Sequence, residues 1–266
     1  MDKLLSKITR NLKKPQKVPY KIFERILNLI YFFRFTLNYK QYYYENEQNI
    51  KFNNHNLDRK SGLKKLDQLK NSYSFLNKPM SSEHQVLFSS LSLKKEIKNI
   101  LEIGTFDATN TFLLSKLFPS AKITTIDLKD EDEQFKDTYN RNSDEKLKKF
   151  CDERNKLLKV SDNILFLQEN SVNLTFSNQK FDLIWIDGAH GYPVVTIDII
   201  NSLRLCSEEG LIICDDVYEN KVNNADDMYS SHASYETLSV LKQSGIISFD
   251  LFYKRLTKIE NAIPKK

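Results

Sequence analysis

Apolar runs of strand length alternate with helix-like segments from about residue 81 onward, and this alternation limits the fold more than any other feature. The runs are NILEIG (99–104), AKITTIDL (121–128), NILFLQENS (163–171), FDLIWIDG (181–188), GLIICDDV (210–217) and ISFDLFYKR (247–255). Nearly continuous apolar runs are typical of strands that are buried on both faces of a parallel sheet. Amphipathic segments such as 109–118 and 194–206 separate them. We therefore expect an α/β domain with a mostly parallel sheet and helices on both faces.

The first 78 residues differ from this pattern, so we expect an N-terminal extension over 1–78 and the α/β domain over 79–266. Residues 1–18 are basic and polar and are interpreted as a loose arm. Residues 20–44 place apolar side chains at helical spacing, which predicts a helix with a broad apolar face. This helix either packs on the main domain or on a second subunit, as in a homodimer, or it lies in a membrane interface as a peripheral contact.

Composition excludes several classes of protein. The net charge of +5 is a mild excess, and no nucleic-acid-binding motif accompanies it, so no nucleic-acid partner is expected. The three cysteines lack metal-type spacing and fit a reducing cytoplasm. The N-terminus lacks the apolar core of a signal peptide, and no run of about 18 uncharged apolar residues suggests a spanning helix. A cytoplasmic location is predicted, peripheral to a membrane if the 20–44 helix binds one.

The ends of the first two strands indicate a nucleoside site, because ligands of open α/β sheets bind beyond the carboxyl ends of the strands. Gly104 permits a sharp turn, and the following helix directs free amides toward a ligand. Phe106 stands where a dinucleotide site needs its second glycine, which argues against a dehydrogenase. Asp127 can accept hydrogen bonds from both ribose hydroxyls. Alone, Gly104 could be a structural turn and Asp127 a helix cap.

The runs EIGTFDATNT, IDGAHGY and EEGLIICDDVY, with the acid that ends the second strand, resemble class I S-adenosylmethionine (SAM)-dependent methyltransferases. More narrowly, they resemble the small-molecule O-methyltransferase branch that includes catechol and macrocin O-methyltransferases. The resemblance covers about 81–255 and implies a Rossmann-like fold of the seven-stranded type. It implies that the cofactor is bound by Glu102 near the methionine amino group, Gly104, Thr105 and Phe106 in the first loop, Asp127 at the ribose, Leu128, Asn170 and Ser171 near the adenine, and Asp187. Ala108 departs from the family's second glycine.

Three carboxylates follow the fourth and fifth strands, at Asp187, Asp215 and Asp216. In the metal-dependent relatives, these positions bind a divalent cation. Converging carboxylates repel each other unless a positive charge lies between them, and oxygen ligands suit Mg²⁺. A bound cation would help a coordinated acceptor hydroxyl to ionise. In the alternative interpretation, Asp187 and Asp216 cap loops or bind the amino group of the cofactor.

His190 lies just after the fourth strand and is predicted, with Asp187, to be catalytic. It could deprotonate the acceptor hydroxyl as a general base, join a metal shell, or make a structural hydrogen bond. The predicted reaction transfers a methyl group from SAM to a hydroxyl of a small molecule, such as a sugar or glycan precursor. A non-catalytic SAM-binding, membrane-binding or partner-binding scaffold is an alternative. An N- or RNA-methyltransferase is another, although the chain has IDGAHGYP rather than an N-P-P-Y-like motif after strand four.

Overall fold

The computed structural model describes residues 39–76, 82–138, 141–174, 179–219, 232–256 and 259–265, together with 22, 23, 25–27, 29 and 30. The helices are α1 (Tyr39–Asn54), α2 (Arg59–Ser72), α3 (Glu83–Leu91), α4 (Thr109–Leu117), α5 (Glu133–Asp137), α6 (Asp144–Leu158), α7 (Val194–Leu205) and α8 (Ala233–Gln243). The strands are β1 (Asn99–Ile103), β2 (Lys122–Asp127), β3 (Ile164–Gln168), β4 (Phe181–Ile186), β5 (Cys206–Val217), β6 (Ser248–Arg255) and β7 (Ile259–Lys265). The six predicted runs all contain strands. The predicted arm at 1–18 lies outside the described residues.

The seven strands form one sheet in the order β3-β2-β1-β4-β5-β7-β6. Strands β1 to β5 pair in parallel, and β7 pairs antiparallel to both of its neighbours. The predicted mostly parallel sheet is therefore confirmed. The apolar pattern did not predict β7 itself, because IENAIPK is not an apolar run and contains a proline.

Strand β1 has β2 on one side and β4 on the other. The strand order reverses between β1 and β4, which is the switch point where open α/β sheets open a crevice for ligands. The loops after these two strands therefore meet at the same edge of the sheet. Gly104 and Asp187 are the first residues of these two loops.

Apolar side chains cover both faces of the sheet, as parallel sheets require. On one face, α3 and α4 contribute Phe88 and Phe112 to a buried cluster that also contains Trp185 of β4. On the other face, Ile199 of α7 and Leu238 of α8 belong to a second buried cluster. The two clusters hold the strand ends in place and leave the carboxyl edge of the sheet for polar residues.

The chain divides into two compact units, Met1–Lys51 and Phe52–Lys266. The predicted boundary at residue 78 falls later, inside the second unit. Phe52, Leu57, Leu66 and Leu76 are buried in the same cluster as Phe88, which explains why residues 52–76 belong with the sheet. In the first unit, the described positions between 22 and 30 are helical, as predicted. Among the helices that the structure describes, none has both the length and the apolar character needed to cross a membrane.

Candidate active site

The loop after β1 is built around Gly104, whose φ is +99°. A Cβ atom at this position would lie 2.3 Å from the carbonyl oxygen of Asp187, so only glycine fits. The Gly104 amide donates to the carbonyl of Ile126 at 2.9 Å, which joins this loop to the end of β2. Glycine is thus needed at this position for the two loops to contact each other, in addition to any contact that it makes with a ligand.

Asp127 lies beside this loop and holds it in place. One carboxylate oxygen accepts from the Phe106 amide at 2.8 Å, and the other accepts from the Leu128 amide at 2.8 Å. Each oxygen retains a lone pair for a further donor. Burial raises the pKa of Asp127 above its usual value, while the two amides and the positive charges of Arg141 and Arg154 oppose that rise. Gly104 and Asp127 therefore lie together, as the nucleoside hypothesis requires.

Two predicted binding residues lie behind the loop rather than in the cavity described below. Glu102 is fully buried and accepts hydrogen bonds from Asn110, Thr111 and Thr125. The hydroxyls of Thr105 and Thr125 lie 2.7 Å apart. Burial raises the pKa of Glu102 to about 7 despite these hydrogen bonds. Neither Glu102 nor Thr105 lines the cavity, because both side chains point into this buried network.

One cavity of about 390 Å³ extends along the carboxyl edge of the sheet, within the usual range for small-molecule sites. It brings together most of the predicted site residues. These are Gly104, Phe106, Asp127, Leu128, Asn170, Ser171, Asp187, His190, Asp215 and Asp216. The cavity therefore has two ends, one beside β2 and β3 and the other beside β4 and β5.

At the end near β2 and β3, the cavity is bounded by an aromatic and cationic cluster that sequence analysis did not single out. The Arg141 guanidinium carbon lies 3.7 Å from the centre of the Phe135 ring and 4.7 Å from that of Phe150. Phe135 and Arg141 line the cavity together with Leu128 and Asn170. The charged segment between β2 and β3 thus contributes Phe135 and Arg141 to the site. Aromatic residues among its charges were the available signal, but the sequence pattern alone does not show which of them face the sheet edge.

At the other end, His190 lies between two carboxylates. Its Nε2 atom is 3.6 Å from an Asp187 oxygen and 3.7 Å from an Asp216 oxygen. Burial opposes the charged imidazole, but the negative charges of Asp187 and Asp216 raise the pKa of His190 above 6.5. Burial and the charge of Asp215 raise the pKa of Asp187 to about 7. This group of side chains can accept and hold a proton near neutral pH.

The structure corrects the prediction that Asp187, Asp215 and Asp216 bind a metal. The Lys254 ammonium of β6 lies 2.5 Å from an Asp215 oxygen and 2.7 Å from an Asp216 oxygen. A positive charge therefore already sits between two of the three expected ligands. In the described part of the chain, no group of three or more histidine, cysteine, aspartate or glutamate side chains is arranged to hold a metal ion. Asp187, Asp215 and Asp216, as the structure places them beside Lys254, therefore do not form a binding site for a divalent cation.

Neither Lys254 nor His84 was among the site residues predicted from the sequence. Both line the same end of the cavity as Asp215. Lys254 follows the buried Phe252 by two positions in β6, and a lysine on the same face of the strand as a buried phenylalanine was the available signal. His84 packs on Trp185, with ring centres 4.8 Å apart, and burial lowers the pKa of His84 to about 4. The neutral imidazole therefore borders the cavity near Lys254.

Residues 101–217 of the chain match a family model described as a methyltransferase domain. This range contains the Gly104 loop, Asp127, Asp187, His190 and both acids of β5. No protein of curated function matches the chain by sequence.

Solved structures of other proteins are similar to this chain, and the first of those described next, with a TM-score of 0.50, shares its fold. A Staphylococcus aureus protein assigned as a caffeoyl-CoA O-methyltransferase aligns with a TM-score of 0.50 at 16% identity, over 76% of this chain and 98% of that one. An O-methyltransferase from Bacillus cereus, solved with S-adenosylhomocysteine (SAH), aligns with a TM-score of 0.49 at 16% identity, over 77% and 89% of the two chains. An O-methyltransferase assigned in Klebsiella pneumoniae aligns with a TM-score of 0.46 at 17% identity, over 67% and 77%.

Proposed function

We propose that this chain, of which residues 101–217 match a methyltransferase-domain model, is a class I SAM-dependent methyltransferase that transfers the methyl group of SAM to a hydroxyl of a small molecule. The observation that carries the proposal is a cavity that joins Gly104 and Asp127 to His190. One end offers a nucleoside site, and the other offers a group that can take a proton from a hydroxyl. A methyltransferase needs both beside each other.

The end near β2 and β3 suits the adenosyl part of SAM. The Asp127 carboxylate would accept hydrogen bonds from the ribose hydroxyls while the Phe106 and Leu128 amides hold it in place. Leu128, Asn170 and Ser171 line the wall where the adenine would lie. SAM supplies an electrophilic methyl group on a sulfonium.

The end near β4 and β5 would bind the acceptor. His190 would take the proton of the acceptor hydroxyl at Nε2 as the oxygen attacks the methyl group. The carboxylates of Asp187 and Asp216, at 3.6 and 3.7 Å, stabilise the imidazolium that forms. Most of the rate would come from holding the oxygen in line with the methyl group. Several acidic groups at this end suit a polyhydroxyl acceptor such as a sugar or glycan precursor.

Calorimetry with SAM and SAH tests the cofactor site. We expect both to bind the wild type, and Asp127→Ala to weaken binding at least about tenfold, because the ribose loses its charged acceptor. Asp162→Ala, at an exposed loop position, is the matched control and should bind like the wild type. Wild-type affinity in Asp127→Ala would show that the nucleoside site is elsewhere.

The apolar residues of the first unit support a second, separate role as a peripheral membrane contact. Ile22, Phe23, Ile26, Leu29 and Ile30 recur at helical spacing, and each is more than half exposed. Basic residues at Lys21 and Arg25 would suit anionic headgroups. Vesicles containing anionic lipid should float the full chain, and Phe23→Glu should reduce flotation. A concentration-dependent dimer that does not float would instead assign the helix to a second copy.

A further inference from the structure

A single lysine stands where the sequence predicts a metal ion. Lys254 reaches from β6 to the end of β5 and donates to Asp215 at 2.5 Å and to Asp216 at 2.7 Å. Its side chain is 11% exposed, and that of Asp215 is 2% exposed. Buried charges are costly unless they are paired, so this ammonium and these carboxylates depend on each other.

The backbone of β5 is shaped to bring both acids to this lysine. Neighbouring side chains on a regular strand point to opposite faces of the sheet, so Asp215 and Asp216 could not both reach one atom from such a strand. Asp216 has a φ of +46°, and the pairing of β5 with β7 shifts register between Cys214 and Val217. This irregularity breaks the alternation and brings both carboxylates onto the same Nζ atom.

The charge balance at this end of the cavity explains why a cation is needed. Asp187, Asp215 and Asp216 come together at the ends of β4 and β5, and burial together with the negative charge of Asp215 raises the pKa of Asp187. A divalent ion would have to displace the ammonium from two carboxylates before it could coordinate them. Mg²⁺ requires close oxygen ligands at about 2.1 Å, and an ammonium held at hydrogen-bond distance occupies that place.

We propose that Lys254 replaces the divalent cation of metal-dependent methyltransferases as a fixed positive charge that binds the acceptor oxygen. The proposal rests on the proposed function. An ammonium has three protons, and Asp215 and Asp216 accept two of them, which leaves one for an oxygen in the cavity that Lys254 lines.

The transfer then balances without a metal. The acceptor oxygen forms a bond to the methyl carbon, the carbon–sulfur bond breaks, and its electron pair stays on sulfur. The hydroxyl proton passes to Nε2 of His190. Lys254 keeps all of its protons and stabilises the negative charge that develops on the oxygen.

Removing the ammonium should convert the site into one that responds to metal. We expect Mg²⁺ at millimolar concentration, and EDTA, to leave the Tm of the wild type unchanged. In Lys254→Met the acids lose their cation, so Mg²⁺ or Ca²⁺ should raise the Tm by several degrees. Lys254→Arg keeps the charge and should not respond. Lys148→Met removes a lysine from an exposed ion pair with Asp152 and is the matched control.

Binding and turnover separate a role at the acceptor from a role in folding. SAH affinity of Lys254→Met should stay within about threefold of the wild type. Its turnover, followed as SAH released with an acceptor that the wild type methylates, should fall about 100-fold, in the range seen when one charge-stabilising donor is removed. Wild-type turnover in Lys254→Met would overturn the proposal.

A wild type that loses its activity with EDTA and regains it with Mg²⁺, or whose Tm rises with Mg²⁺, would also overturn the proposal. These wild-type measurements decide it even if Lys254→Met does not fold. If the wild type fails to bind SAH, the proposed function fails instead, while the response of the Tm to Mg²⁺ still decides whether Lys254 takes the place of the cation.

Discussion

Gly104 and Asp187 are in backbone contact across the switch point of the sheet. A Cβ on Gly104 would lie 2.3 Å from the Asp187 carbonyl oxygen and 2.7 Å from its carbonyl carbon. The loop that holds the proposed nucleoside site and the loop that leads to His190 therefore share one wall. A substitution that moves the backbone of one loop should therefore also displace the other loop.

Gly104→Ala should destabilise the protein, because it adds a methyl group at a φ of +99° and against backbone atoms that cannot move aside. We expect a loss of about 2 kcal/mol or more in the free energy of unfolding, measured by urea denaturation. Gly245→Ala is the control. Its φ is +71°, but no described atom lies within 4 Å of the added carbon, so it should lose only about 1 kcal/mol. Equal losses would mean that the contact with Asp187 is unimportant.

His190→Gln should reduce turnover by about 100-fold or more without changing SAH affinity, because glutamine cannot take the proton of the acceptor hydroxyl. The measurement is SAH release with a methylated acceptor, beside SAH calorimetry. His55→Gln is the control, since His55 pairs with Asp250 at 2.9 Å, outside the residues that line the cavity. Unchanged turnover in His190→Gln would assign the histidine a structural hydrogen bond.

Glu102 should make stability depend on pH. Its pKa is raised from 4.5 to about 7 by burial, so the folded state binds more protons than the unfolded state between these values. The free energy by which this group stabilises the folded state is fully present below pH 4.5. It decreases by up to about 3 kcal/mol as the pH rises from 4.5 through 7. Glu102→Gln should lack this loss. Relative to the wild type, it should therefore gain stability between pH 5 and pH 8.

Urea denaturation at both pH values checks this expectation. Glu96→Gln, at a largely exposed side chain, is the control and should follow the wild type at both values. If the difference between Glu102→Gln and the wild type is the same at pH 5 and pH 8, Glu102 does not titrate in this range.

Arg154→Met should destabilise the protein by about 3 kcal/mol, because it leaves Asp130 without its cation. Arg154 is buried and makes two hydrogen bonds to Asp130, at 2.7 and 2.9 Å. Lys148→Met breaks an exposed pair at 2.7 Å and should have little effect on stability, since exposed pairs contribute little. Thermal denaturation of the two variants compares the pairs directly. Similar Tm values for both would show that burial does not strengthen the Arg154 pair.

Much of the site could be predicted because its residues follow apolar strands directly. Gly104, Asp127 and Asp187 each lie at the end of a recognisable run, and parallel strands bring such ends to one edge. Glu102 shows the limit of this reasoning. Its position in β1 matched a binding motif, but its carboxylate accepts hydrogen bonds from the hydroxyls of Thr111 in α4 and Thr125 in β2. Which face of a strand meets a partner is not visible in a local pattern.

The sequence by itself determined the α/β alternation, the polar residues at the strand ends and the cluster of acids after β4 and β5, because each is a property of adjacent residues. Only the tertiary structure decided which cation faces those acids. Lys254 lies 38 residues beyond Asp216 in the chain. The two residues meet because β7 pairs with both β5 and β6 and so places β6 two strands from β5, and because the irregular end of β5 turns two neighbouring carboxylates the same way. Charge pairing between distant strands depends on backbone positions in space, which no local run of residues specifies.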